Sequence, residues 1–362
     1  MNTIHVKGRM LMNDRFYIIV PHKNNYQLVK QFIVFVREVI RNYSNVYFVI
    51  IDDHSSDGTT KRLKKNLYNE DRLIFLKSKA EGVSAARNTG LNYIYSLTEV
   101  SNKWILFCDF DDMISPSIFE QLNKSDSWKK FDYLLFGFTS SSEKFLEAKH
   151  DSPSVGFADF LLTDRYGLIL GGTFVSQNTK FNLNAPWAKL ISAQFLKQNE
   201  IYFDEELIFK EDLIFNLAIL RCNPTIGMTT DIYYYYYINP LSTVRNFISC
   251  INEQNMIVLN KLNILIPNSV KNKQCLLKYF LAKSLVETMH LYVFSSTHRF
   301  TYVESRKKFY EVTTQKNLYT SLLKSLYIPK FSKKSYTVIY MLTKLKCFNI
   351  LFILMKFKHN RK

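Results

Sequence analysis

Three acidic stretches hold the side chains best able to do chemistry. In "FCDFDDM", Asp109, Asp111 and Asp112 follow the apolar run Trp104 to Cys108. Carboxylates crowded this closely repel one another unless a cation or hydrogen-bond donors compensate. Oxygen ligands select hard cations, and Mg²⁺ takes one or two carboxylates and completes its shell with water and substrate phosphates. The stretch therefore reads as a seat for Mn²⁺ or Mg²⁺ beside a nucleotide diphosphate. The alternative is an acidic turn before the helix "SPSIFEQL", with Ser115 at the N-cap and Pro116 at the first position. In "VIIDDHSSDGT", Asp52 and Asp53 end another apolar run. In "FKEDLIFN", Glu211 and Asp212 open a normal amphipathic helical pattern, whose first turn favours acids.

The elements around these stretches explain how they could meet. "RFYIIVP" and "VYFVIIDD" are β-branched and aromatic runs ended by turn formers, and "YQLVKQFIVFVREVIRNY" between them carries apolar residues at helical spacing. A helix at "GTTKRLKKNLYN", a strand at "LIFLKS", a helix around "SAARNTGLNYIYSLT" and a strand at "KWILFCDF" continue the alternation. Such alternation implies an α/β fold whose central sheet is mostly parallel and flanked by helices. Ligands bind such sheets outside the carboxyl ends of the strands, and Pro21, Asp52, Asp53 and residues 109 to 112 all fall at that edge.

The blocks "IIVPHKNN", "VIIDDHSSDGT", "GVSAARNTGL", "FCDFDD", "NAPWAKL" and "FKEDLIFN" stand in the order and rough spacing of the inverting, nucleotide-sugar-dependent family 2 glycosyltransferases of GT-A fold. The chain resembles that family from about residue 15 to 245. The resemblance implies that Asp53 accepts the imide N–H of uracil beside Pro21, and that Arg87 reaches the base or the diphosphate. It implies that Asp109 contacts the ribose or the metal shell, and that Asp111 is the main protein ligand of a Mn²⁺ or Mg²⁺ ion on a UDP-sugar. It makes Asp212 the general base, with Glu211 second. Trp187 would face a sugar of the acceptor and Lys189 would lie near phosphate, although Trp187 and Leu190 could simply be core. Two departures stand out: Lys23 occupies a position where the family commonly has Tyr, and Tyr237 one where an Arg is expected, with Arg245 as a substitute. The QxxRW signature of processive synthases is absent, which favours one sugar per encounter. A non-catalytic relative would have lost Asp109, Asp111 or Asp212, and all three are present.

Composition bounds the rest. A 47% hydrophobic, 15% aromatic chain of 362 residues packs a sizeable core. Cys108, Cys222, Cys250, Cys275 and Cys347 are scattered with no CxxC pair, so neither a disulfide framework nor a zinc site is expected. Charges at Lys7, Arg9, Asp14 and Arg15 interrupt the opening residues, which do not read as a signal peptide; a cytoplasmic location is expected.

Eleven of the +17 net charges lie beyond Glu311, where no acid follows, leaving +6 on the remaining residues. That placement is not the basic surface of a nucleic-acid binder. The tail "YTVIYMLTKLKCFNILFILMKFKHNRK" has a longest apolar run of six residues, Ile350 to Met355, against the roughly 20 needed to span a bilayer. It reads as a basic amphipathic segment for an anionic membrane surface or as a core-packed helix with a charged rim. The expected organisation is a catalytic domain over 1–245, with a nucleotide half over about 15–115 and an acceptor half over 116–245. A helical C-terminal region over 246–362 follows, and residues 139 to 155 read as a surface loop able to close over the site. The expected activity is transfer of a sugar from a UDP-sugar to a glycan or lipid-linked acceptor in bacterial surface-polysaccharide or lipopolysaccharide assembly.

Overall fold

The computed structural model describes residues 14–150, 158–159, 165–176, 178–238, 247–295, 297–298, 300–314 and 318–360. The chain opens with β1 (Arg15–His22), α1 (Val29–Asn42), β2 (Val46–Asp52), α2 (Thr59–Asn66), β3 (Leu73–Lys77), α3 (Val83–Ser96) and β4 (Lys103–Phe107). These four strands pair in parallel in the order β3-β2-β1-β4. Strands β1 and β4 are apolar on both faces, as expected when helices cover both sides.

Beyond them come β5 (Met113–Ile114), α4 (Ser117–Lys124), β6 (Tyr133–Thr139), α5 (Ser142–His150), β7 (Ala158–Asp159), α6 (Arg165–Gly171), β8 (Thr173–Ser176), β9 (Thr179–Asn182), β10 (Lys189–Ser192), α7 (Ala193–Gln198), α8 (Glu211–Arg221) and β11 (Ile226–Tyr235). The same sheet runs on through β10, β6, β11 and β5. Here β10 is antiparallel to both β4 and β6, and β11 is parallel to β6. The mostly parallel sheet expected from the sequence holds for the first half; the whole is mixed, because short β10 enters through a connection from β9 and not through a helical crossover.

Residues 142 to 150 form α5, not the expected loop. The stretch "SEKFLEAKH" holds good helix formers, and Phe145 is buried against Tyr235 with ring centroids 5.4 Å apart. Residues 151 to 155 of that expected loop lie outside the described residues.

The helical region contains α9 (Ile251–Leu265), α10 (Lys273–Thr288), α11 (Tyr302–Thr314), α12 (Thr320–Lys324), α13 (Lys334–Lys344) and α14 (Phe348–Asn360). The chain forms two compact units. One takes the described residues of Met1–Thr163, Thr173–Phe203 and Cys222–Tyr237; the other takes those of Asp164–Gly172, Asp204–Arg221 and Ile238–Lys362. Helix α8, which the sequence reading placed in the acceptor half, thus groups with the C-terminal helices.

Candidate functional site

In the sheet-bearing unit, the carboxyl ends of β1, β2 and β4 build one edge. The register sets His22 opposite Asp52, and the Asp53 N–H donates to the His22 carbonyl at 2.8 Å. Pro21 falls where the ladder between β1 and β4 has already ended, so its missing N–H leaves no gap in that ladder. His22 is buried against Phe110, and burial holds its pKa below the ordinary histidine value.

The two carboxylates at the end of β2 divide their work. Asp52 accepts the Ser55 N–H at 2.8 Å and closes its own turn. Burial there works against ionisation, but the Ser55 and Thr60 donors outweigh it and keep this carboxyl below its usual range. Asp53, 7% exposed, accepts the Gly82 N–H at 2.9 Å and so holds the entry to α3. Gly82 has φ +116, a conformation that side chains with a Cβ rarely adopt. Lys23 lies 3.8 Å from the other Asp53 oxygen and 3.7 Å from Glu81.

Helix α3 brings Arg87 to the end of β4. The guanidinium is almost wholly buried, pairs with Asp109 at 3.1 Å and sits 5.1 Å from the centroid of the Phe203 ring. In the acidic turn, alternate side chains go opposite ways. Phe110 is buried and stacks on Phe32 at 4.3 Å, which pins the turn to α1, while Asp109 and Asp111 stay partly exposed. Asp112 is buried, accepting the Tyr234 hydroxyl at 2.5 Å and the Tyr237 N–H at 2.8 Å. Burial, and then the charge of Asp109, push its pKa well above the ordinary carboxylate value. The crowding seen in the sequence is therefore relieved in part by protein donors: Arg87 meets Asp109, and Tyr234 with Tyr237 meets Asp112.

Among the described residues no group of three His, Cys, Asp or Glu side chains gathers to hold a metal. The partly exposed pair Asp109 and Asp111 offers only hard oxygen donors. That set fits an Mg²⁺- or Mn²⁺-type ion completed by phosphate and water, and does not fit a closed protein cage.

The two residues expected at the acceptor are both buried. Trp187 is 6% exposed and stacked by Tyr234 at 4.9 Å and Tyr236 at 5.3 Å, with Phe138 edge-on at 4.9 Å. Its ring packs among aromatic neighbours and supports the acidic turn through Tyr234. Lys189 is fully buried and donates to the carbonyls of Asn182 at 2.6 Å, Trp187 at 3.1 Å and Ala185. Its charge closes the 182–189 turn. Tyr237 gives its N–H to Asp112, and Arg245 lies outside the described residues.

The second unit carries Glu211 and Asp212, both half-buried, in the first turn of α8. The sequence reading did not single out Tyr234, Gly82 or Lys210, the residue before Glu211. For Tyr234 a signal existed, since consecutive tyrosines in an extended segment send alternate rings to opposite faces. Tyr234 and Tyr236 meet Trp187, while Tyr233 and Tyr235 meet Phe136 and Phe145.

Residues 17–185 match the family model described as glycosyl transferase family 2. That stretch, a little under half of the chain, is similar to the family 2 glycosyltransferases. Among curated relatives, GlyA, a glycosyltransferase of Streptococcus pneumoniae, is 23% identical over 62% of this chain and 31% of its own length. TarP of Staphylococcus aureus, a poly(ribitol-phosphate) beta-N-acetylglucosaminyltransferase, is 23% identical over 61% of this chain and 62% of its own. The chain thus spans about a third of the first relative and about three fifths of the second. The crystal structure of S. aureus TarS 1-349 in complex with UDP-GlcNAc shares the fold, with a TM-score of 0.58 and 16% identity over 96% of this chain and 92% of that one. The family 2 match holds Pro21, Asp53, Arg87, Asp109 and Asp111, stops at the start of the "NAPWAKL" block and does not reach Asp212.

Proposed function

We propose that the protein transfers a sugar, a hexose or N-acetylhexosamine, from a UDP-sugar to a hydroxyl of a glycan or lipid-linked acceptor, with inversion, in the assembly of a bacterial surface polysaccharide or lipopolysaccharide. The observation that carries this reading is the edge that joins Asp53, the buried Arg87–Asp109 pair and the partly exposed Asp111 within the stretch similar to family 2. Asp53 has acceptor capacity left for a uracil imide N–H, because an ionised carboxylate offers about four lone-pair sites. Arg87 fixes Asp109, and Asp111 and Asp109 would hold the divalent ion against the two phosphates. When bound, that ion stabilises the negative charge that builds on the departing UDP.

Asp212 takes the proton of the incoming hydroxyl on the face opposite UDP, with Glu211 as the second candidate. Its half-buried place at the start of a helix suits a carboxylate that must both ionise and meet substrate. TarP, named for poly(ribitol phosphate), supports a hydroxyl-rich polymer as acceptor, and TarS, seen with UDP-GlcNAc, supports a UDP-sugar donor.

The same reading places the protein on the cytoplasmic side of an anionic membrane. None of the helices among the described residues is long and apolar enough to cross one. On α14, Phe348, Leu351 and Met355 are buried, while Ile350, Ile353, Leu354 and Phe357 are 44 to 66% exposed at the spacing of one helical stripe. Lysines 344, 346, 356 and 358 lie along the same segment, a composition that fits an interfacial helix.

The deciding experiment is a UDP-release screen over a panel of UDP-sugars, with Mn²⁺ present or chelated. Release from one donor that stops on chelation is expected. No release from any UDP-sugar would remove the activity, and release untouched by chelator would remove the metal.

A further inference from the structure

The segment that leads into α8 is held more tightly than an exposed loop requires. Lys261 pairs with Asp204, and Gln254 both accepts the Ile208 N–H at 3.0 Å and donates to the Glu206 carbonyl at 3.2 Å. The strongest hold is on Lys210 itself. Its ammonium donates to Asn255 Oδ1 at 2.8 Å and to Ser284 Oγ at 2.7 Å, and forms an ion pair with Glu287 Oε2 at 2.9 Å. The rings of Phe209 and Phe280 cover it at 4.9 and 4.5 Å, and the side chain is only 11% exposed. The acceptors are themselves fixed: Asn255 donates to the Tyr319 hydroxyl at 3.1 Å, which also shares a hydrogen bond with Thr288 at 2.9 Å, and all three are fully buried.

Two unfavourable features coincide at this residue. Its backbone is left-handed, with φ 66, which is costly for any residue with a Cβ. Its charge is withdrawn from water, which is costly unless paired and hydrogen-bonded. A glycine would meet the backbone demand without strain, and an apolar side chain would fill the pocket without a buried charge. Neither alternative would tie the first turn of α8 to both α9 and α10. Local strain of this kind persists only where the surroundings over-determine it, and it collects at functional sites.

We infer that Lys210 is a positioning residue for the reaction: its anchorage on Asn255, Ser284 and Glu287 sets the direction in which Asp212, two residues on, leaves the start of α8. The Lys210 carbonyl accepts the Ile214 N–H at 3.3 Å, so the lysine is joined to the helix by its first backbone bond as well as by sequence. Turning α8 about its axis would pull the ammonium from acceptors on two helices. The orientation of the carboxylate is in this way referred to the helical unit. The inference rests on Asp212 being the base proposed above.

The test uses the full chain and the UDP-sugar that gives the fastest release in the screen. Lys210→Met keeps the apolar stem and removes the ammonium; Lys210→Arg restores a cation; Asp212→Asn checks the reading beneath. Lys210→Met is expected to lower kcat about tenfold to a hundredfold, the scale of a misplaced catalytic group, with UDP affinity by calorimetry unchanged. Lys210→Arg is expected to recover much of that loss. A kcat for Lys210→Met close to wild type, with Asp212→Asn inactive, overturns the positioning role and leaves the base in place. Near-normal turnover by Asp212→Asn overturns the base and the inference with it. Should Lys210→Met fail to fold, Ser284→Ala removes a single acceptor and is read the same way: a lower kcat at unchanged UDP affinity supports the role, and an unchanged kcat overturns it.

Discussion

Residue by residue, the structure shows which charged groups work on one another. Lys189 satisfies three carbonyls from a fully buried position. Lys189→Met leaves those carbonyls unpaired, and a buried polar group left alone costs about 1–3 kcal/mol. The expected outcome is a clear fall in the midpoint of urea unfolding with UDP affinity unchanged in the folded protein. Loss of UDP binding without loss of stability would return Lys189 to a phosphate role. Glu287 is a different case. Burial alone would raise its pKa, but the nearby Lys210 and Lys283 charges outweigh that and hold it below the ordinary value. A depressed acid contributes stability that is complete above its unfolded pKa and lost as pH falls through its folded one. Wild-type stability should therefore drop on acidification below the ordinary glutamate range. Glu287→Gln should show less of this drop while being less stable at pH 7, where a broken buried pair costs about 3–5 kcal/mol. Thermal melts from pH 3 to 8 measure both.

At the level of elements, close packing explains how Arg87 reaches Asp109. Gly90 sits one turn further along α3, and a Cβ there would lie 3.0 Å from Ile19 and 3.2 Å from Ile51. The bare glycine lets α3 lie directly on β1 and β2. Gly90→Val is expected to force the helix outward, cost about 1–3 kcal/mol as overpacking does, and weaken UDP binding by shifting Arg87. Calorimetry with UDP alongside a melt tests both effects, and a stable variant with full UDP affinity would show that the contact is not needed. Helix α14 carries the complementary lesson. Its buried stripe completes the helical unit, with Phe348 packed on Phe309 at 5.4 Å and on Tyr302 at 5.2 Å. Removing the whole tail would thus expose core. The outward stripe is the part to change: Ile353→Glu with Phe357→Glu should keep the melting temperature and lose binding to anionic vesicles. A change in oligomeric state instead would assign the stripe to a second copy of the chain.

For the molecule as a whole, charge and the candidate site residues are distributed unevenly. The sheet-bearing unit holds Asp53, Arg87, Asp109 and Asp111, while the helical unit holds Glu211, Asp212 and the basic tail. Vesicle binding driven by lysines 344, 346, 356 and 358 should weaken as salt rises from about 0.05 to 0.5 M, because the screening length shortens across that range. UDP release from a soluble acceptor should change far less. Flotation and release assays run in parallel at each salt concentration separate the two. Binding that is insensitive to salt would leave the apolar stripe as the whole anchor.

The sequence by itself determined the strand-helix alternation, the carboxyl edge and the acidic stations, because hydrophobic period and turn residues are local properties that survive without neighbours. It also carried the family 2 signature, since that signature is written in short blocks. Only the tertiary structure decided which polar groups were already engaged. Trp187 became the centre of an aromatic stack, Lys189 the clasp of a turn, and Asp112 the partner of Tyr234, more than 100 residues away. The same holds for the mixed second half of the sheet and for the grouping of α8 with the C-terminal helices. Each depends on contacts between distant segments, and a residue's type states what it can bond to without saying which partner arrives first.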